Sequence, residues 1–256
     1  MSVGRTGRRI RAWSAVLAAA AVTVLASCAS GGLPGGQAAT TTPAAAAATT
    51  GPAAATPTEA HSGAAAVATR VVNLAPVDQR GDATSGWSVD RGDDDPNAPI
   101  DCGDTSQADA SPAAVSGDIY SCSPSAAEAD ACWPTAQARQ MLCLRDPYSS
   151  VLTALTAQAL VAKVSAPKDP VPLGLRLANG DHCRLRDGGA WGSPRQHPDY
   201  VGYYSCGSHG IVWAPQGSST GGIDRTTRRW TVLVGDETSP LTTVAVTDAS
   251  FVTTAA

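Results

Sequence analysis

VGYYSCGSHGIVWAP occupies residues 201–215. Two runs of β-branched and aromatic residues, Val201–Tyr204 and Ile211–Trp213, flank a break that contains Gly and Ser. Runs of this kind bounded by turn formers read as strands. The same grammar extends outward. Trp230–Val234 and Leu241–Val246 are further β-type runs, and Leu173–Leu177 alternates ahead of Asn179-Gly180, a hairpin-type turn signal. Upstream lie QMLCLRD (140–146) and VLTALTA (151–157). Runs recurring at such short spacing predict a mainly β fold of antiparallel meanders, packed as a sandwich or partly closed barrel. Residues 150–164 are ambiguous: Ala and Leu suit a helix, whereas their alignment to 240–249 suits a strand.

That alignment comes from an internal repeat. Tyr-Ser-Cys occurs at 120–122 and again at 204–206. Asp101-Cys102 matches Asp181-His182-Cys183 loosely, and Cys132-Trp133 matches Val212-Trp213. MLCLRDPYSSVLTALTAQA (141–159) lines up with TVLVGDETSPLTTVAVTDA (231–249), placing Asp146 on Asp236 and Ser149 on Ser239. The reading is a duplication with units at about 100–162 and 181–253.

Cysteine pairing follows from the repeat. Cys102, Cys122, Cys132, Cys143, Cys183 and Cys206 form an even set, as expected of three disulfides in an exported chain. Cys102 and Cys122 have counterparts in Cys183 and Cys206. Cys132 and Cys143 have none, and Val212 and Leu233 stand in their places. A bridge missing from one copy loses both ends together. The expected pairs are therefore Cys102–Cys122, Cys132–Cys143 and Cys183–Cys206, each contributing ~3 kcal/mol by loop closure.

The amino-terminal end tells where the chain goes. Arg5, Arg8, Arg9 and Arg11 precede an uncharged run, Trp13–Ser27. The run is short for a membrane span of ~20 residues, and together with the positive flank it reads as a signal peptide, residues 1–27. It ends in Leu25-Ala26-Ser27-Cys28, which resembles the lipobox of bacterial lipoproteins. That resemblance implies a diacylglyceryl group on the Cys28 thiol, cleavage before Cys28, and fatty acyl chains of the palmitate type holding the new terminus at the outer face of the cell membrane. Taken whole, the chain resembles lipobox-bearing cell-envelope lipoproteins of actinobacterial, in particular mycobacterial, type. No activity comes with that resemblance.

Residues 28–66 are an Ala/Thr/Pro-rich tether with Glu59 as its only charged residue, too poor in large apolar groups to offset the entropy of folding. Its Thr residues are candidate O-glycosylation sites. Residues 67–256 are the expected folded domain. The chain has 18 Lys+Arg and 22 Asp+Glu. Residues 1–27 hold four arginines and no acid, so the remainder carries 14 against 22, a net charge of −8. That balance argues against nucleic acid as a partner. An envelope glycan, lipid or protein is the expected partner beyond the membrane itself.

Candidate chemistry is sparse. GDHCRLRDGGAWGS (180–193) is the most site-like loop: Arg184, Arg186, Asp187 and Trp191 could stack on a sugar and bond its hydroxyls, although Trp191 could equally pack on the Cys183 bridge. Gly217–Gly221 matches G-x-S-x-G around Ser219, the pattern of an envelope serine hydrolase. No His follows it, and β-type sequence follows where a helix is needed, so no catalytic residue is assigned. His61, His182, His197 and His209 are scattered, and there is no CxxC, so no metal or cofactor is expected. Asp90, Asp93, Asp94, Asp95, Asp101 and Asp104 crowd one stretch without calcium-loop spacing, which reads as a solvated acidic loop. The expectation is a non-catalytic binding or structural role.

Overall fold

The structure is a computed structural model. It describes residues 67–92, 98–123, 131–186, 192–207 and 210–256. Cys28 and the whole tether lie outside the described residues, as do Asp93–Asp95, Asp187, Trp191, His61 and His209.

Eleven strands make up the regular structure among the described residues: β1 (Arg70–Asp78), β2 (Ser88–Asp90), β3 (Ala131–Pro134), β4 (Gln140–Leu144), β5 (Val151–Thr156), β6 (Gly174–Leu177), β7 (His182–Leu185), β8 (Tyr200–Cys206), β9 (Ile211–Pro215), β10 (Thr231–Gly235) and β11 (Thr242–Ala255). Residues 151–156 are strand, so the helical alternative there falls away. Thr at 153 and 156 and Val at 151 suit a pleated strand. The cross-strand partners on β4 supply the packing that Ala and Leu alone would not dictate.

β6 to β11 pair in chain order, all antiparallel, and β11 returns to pair with β6. The result is a closed six-stranded barrel, which leaves no open edge among those strands. Period-two alternation fills it. Leu175 and Leu177 on β6, Cys183 and Leu185 on β7, Tyr204 and Cys206 on β8, and Val232 and Val234 on β10 are buried, while Arg176 and His182 face out. β2-β5-β4-β3 form a second sheet. Isolated bridges Tyr120↔Cys132, Asp101↔Ser123 and Ile100↔Ala157 extend that sheet into a smaller ring. Its interior holds Cys102, Tyr120, Cys122, Cys132, Met141, Cys143, Leu155 and Ala157. The alternate residues of the sheet, Trp133, Leu142, Leu144, Leu152 and Ala154, join the main core instead.

Two parallel pairings lie outside the expected meander. β1 runs parallel to β11 and β2 parallel to β5. Each adds a strand beside a hairpin, β1 next to the β10–β11 hairpin and β2 next to the β4–β5 hairpin.

Corresponding pairings recur in the two sheets. Tyr120 faces Cys132, and Tyr204 faces Val212. Each Tyr hydroxyl donates to a backbone carbonyl, Tyr120 to Ala162 at 3.0 Å and Tyr204 to Pro172 at 2.8 Å. Burial pushes the Tyr120 phenol up to about 12, helped by Asp118, and raises Tyr204 further. Cys102–Cys122, Cys132–Cys143 and Cys183–Cys206 are the three disulfides. Cys132 faces Cys143 directly across β3 and β4. In the second unit Val212 faces Val234, not Leu233. The counterpart of Cys143 is therefore Val234, one residue beyond its place in the sequence alignment. A one-residue slip turns every side chain to the other face, and here it sends Val232 and Val234 inward and Leu233 outward.

Tyr148, in the turn before β5, fastens the first unit to the barrel. Its hydroxyl lies 2.7 Å from the Leu175 carbonyl and 2.6 Å from the Cys183 carbonyl, and its single proton serves one of them at a time. It fits because residue 174 is glycine: a Cβ there would stand 2.8 Å from the Tyr148 oxygen and 2.7 Å from Pro147 Cγ. Gly174→Ala should displace this ring and cost about 1–3 kcal/mol, the usual penalty of overpacking. Thermal unfolding checks this, and an unshifted midpoint would refute the fastening role.

Matched turns close both hairpins. Asp146 Oδ1 accepts the Tyr148 N–H at 2.9 Å. Asp236 accepts the N–H of Thr238 at 2.7 Å and of Ser239 at 2.6 Å, with both hydroxyls donating as well. The Thr238 backbone bond leads in holding the Asp236 carboxyl down to about 2. A depressed carboxyl stabilises the fold above its unfolded value near ~3.9 and loses that contribution as pH falls through the folded value. Stability should therefore decline from about pH 4 toward pH 2. Melting curves of Asp236→Asn against wild type test this, since the variant should show a shallower acid slope.

Candidate functional site

The barrel presents its outer face through the residues that alternate with its core. On β7 these include Arg184, with Arg186 just beyond the strand. Arg184 sits across from Gly174 on one side and Ser205 on the other. Arg186 Nη1 donates to Ser205 Oγ at 3.4 Å, and its backbone N–H donates to the Tyr203 carbonyl at 2.9 Å. The two expected arginines thus share one half-buried face, opposite the Cys183–Cys206 bridge. Asp187 and Trp191 lie outside the described residues, so the stacking part of that expectation has no geometry to set beside it.

Ser219 is exposed on the connection from β9 to β10. Its neighbour carries the bonds of this turn. Ser218 donates its N–H to the Tyr203 hydroxyl at 2.8 Å, and Ser218 Oγ accepts the Gly222 N–H at 3.2 Å. Gly217, Gly221 and Gly222 all take positive φ, which glycine adopts without Cβ strain. Strand β10 follows the turn, as expected, whereas a nucleophile elbow leads into a helix. The described histidines stack on tyrosines: His182 on Tyr148 at 4.6 Å, with Arg176 5.1 Å from the same ring centroid, and His197 on Tyr200 at 4.5 Å.

The acidic stretch borders a groove of about 750 Å³ beside the Cys102–Cys122 bridge, where Asp101, Asp104 and Asp109 are joined by Gln107, Ser121 and Gln158. Turn bonds already use two of the carboxylates. Asp101 Oδ1 accepts the Gly103 N–H at 2.9 Å. Asp104 Oδ1 accepts the Ser106 hydroxyl at 2.6 Å and the N–H groups of Ser106 and Gln107. The Ser106 hydroxyl contributes most to holding the Asp104 carboxyl below its ordinary value. Among the described residues no group of three or more His, Cys, Asp or Glu side chains is arranged to hold a metal ion.

Sequence reading missed a different feature. Two grooves of about 420 Å³ and 610 Å³ lie on the outer barrel face over β9, β10 and β11, and both are lined by Thr231 and Thr243. One reaches the Ser218–Gly222 turn, and the other reaches Thr227, Arg228 and Arg229. The signal was present in the alternation of β10, where Thr231 and Leu233 oppose the buried Val232 and Val234. No family model, curated protein or solved structure matches this chain.

Proposed function

We propose that this protein is an exported lipoprotein, anchored by lipid on Cys28 at the outer face of the cell membrane, whose domain binds an envelope component, a glycan in first place, without catalysing a reaction on it. The observation that carries the location is the Leu25–Cys28 box behind a charged and then apolar amino terminus. The tether of 28–66 gives the domain reach from the membrane. Three buried bridges suit an oxidising compartment. The binding role is supported by the outer barrel face, whose open grooves are edged with hydroxyl and guanidinium groups. The rival reading, an envelope serine hydrolase acting through Ser219, finds less support, because that serine stands on an exposed glycine-rich turn and strand follows it.

A fluorophosphonate probe discriminates between the two. Ser219 should remain unlabelled, and Ser219→Ala should leave glycan retention unchanged. Covalent labelling at residue 219 would overturn the binding reading in favour of the hydrolase.

A further inference from the structure

We infer that the trench over β9, β10 and β11 takes a hydroxyl-rich chain bearing anionic groups, an acidic glycan, with Arg228 and Arg229 meeting its charge. The inference rests on the binding role proposed above and names its site and ligand chemistry.

Cross-strand register builds the trench. Thr231 pairs with Ala245, and Leu233 pairs with Thr243. Hydroxyls thus occupy one diagonal of the sheet face and alkyl groups the other. Directly opposed side chains stand about 5 Å apart and diagonal ones about 7–8 Å. A sugar ring offers the complementary surface, with C–H patches on its faces and hydroxyls at its edge. Because Thr231 and Thr243 line both grooves, the two volumes meet on this checkerboard.

The cationic end is held in place by its backbone. The Arg228 carbonyl accepts the Thr69 N–H at 2.9 Å, and the Arg229 carbonyl accepts the Thr227 hydroxyl at 2.7 Å. Among the described residues neither guanidinium makes a hydrogen bond or ion pair, and neither do the hydroxyls of Thr231 and Thr243. Arg70 and Asp224 have partners of their own. Arg70 pairs with Asp248 at 2.5 Å, and Asp224 Oδ1 accepts the Thr226 N–H and hydroxyl. Guanidinium pairs with carboxylate or phosphate through charge-assisted bonds, often two at once. The chain beyond residue 27 is net negative, so attraction to an anion must be short-range and confined to this end.

Calorimetric titration of the full-length protein with three oligomers of similar length tests this: an oligouronide, a glycerol-phosphate oligomer and neutral cellohexaose. At least one anionic oligomer should bind about tenfold tighter than the neutral one at low salt, and the two anionic arms tell carboxylate from phosphodiester. Arg228→Gln/Arg229→Gln should lose roughly tenfold of that affinity. Both residues are exposed, so the fold should not change. Thr243→Val should weaken binding of the same oligomer. Anionic binding untouched by the double variant, or neutral binding of equal strength, overturns this inference and leaves the binding role standing. Binding of none of the three overturns both.

Discussion

Trp133→Ala should lower stability by about 3–5 kcal/mol, the largest loss expected from any single substitution here. Trp133 is 2% exposed and joins the core shared by the second sheet and the barrel. Truncation there removes aromatic surface that both units use and leaves a cavity that closed strands cannot collapse around. Trp133→Phe should cost much less. Among the described residues the Trp133 Nε1 is buried without a hydrogen-bond partner. Removing that N–H relieves a desolvation cost of about 1–3 kcal/mol, which offsets part of the lost packing. The repeat supplies a control. Trp213 is the counterpart residue, yet its Nε1 donates to the Gly235 carbonyl at 2.9 Å. Trp213→Phe breaks that bond, so it should cost more than Trp133→Phe. Denaturant titration of the three variants checks the order, and equal losses for the two Phe variants would refute it.

Opening the Cys132–Cys143 bridge as Cys132→Val/Cys143→Val should cost about 3 kcal/mol, or roughly 6–12 °C in melting temperature for a domain of this size. The bridge closes a loop with a sequence separation of 11 and sits wholly inside the first ring. The repeat argues that the variant still folds. Val212 and Val234 face each other at the corresponding place in the barrel, so an apolar pair is compatible with this hairpin geometry. The loss should therefore reflect mainly the unfolded chain's regained freedom, with little change in native packing. Failure to fold, or an unchanged midpoint, would contradict that account.

Much of the fold was legible because its information is local or repeated. Tyr-Ser-Cys and the matched hairpin segments located corresponding strands, and the unmatched Cys132 and Cys143 identified their own partner. What escaped depended on long-range closure. The parallel partners β1 and β2 come from segments distant in sequence, and no local pattern in RVVNLAPVD names β11 as its neighbour. The face of β10 was misread because Val232, Leu233 and Val234 are all apolar, so only the pairing with β9 decides which ones enter the core. Candidate chemistry was harder still. Arg184 and Arg186 were found by charge density within one loop. The trench draws its hydroxyls and cations from both sides of a hairpin, and neither Thr243 nor Arg228 stands out until strand register brings them to one face.

The mass of the mature amino terminus is the most direct test of the proposed lipid tether. Protein recovered from membranes should begin at Cys28 with a diacylglyceryl group on that residue, and Cys28→Ala should move the protein from the membrane fraction into the medium. An unmodified residue 28 together with undiminished membrane retention of the Ala variant would contradict the account.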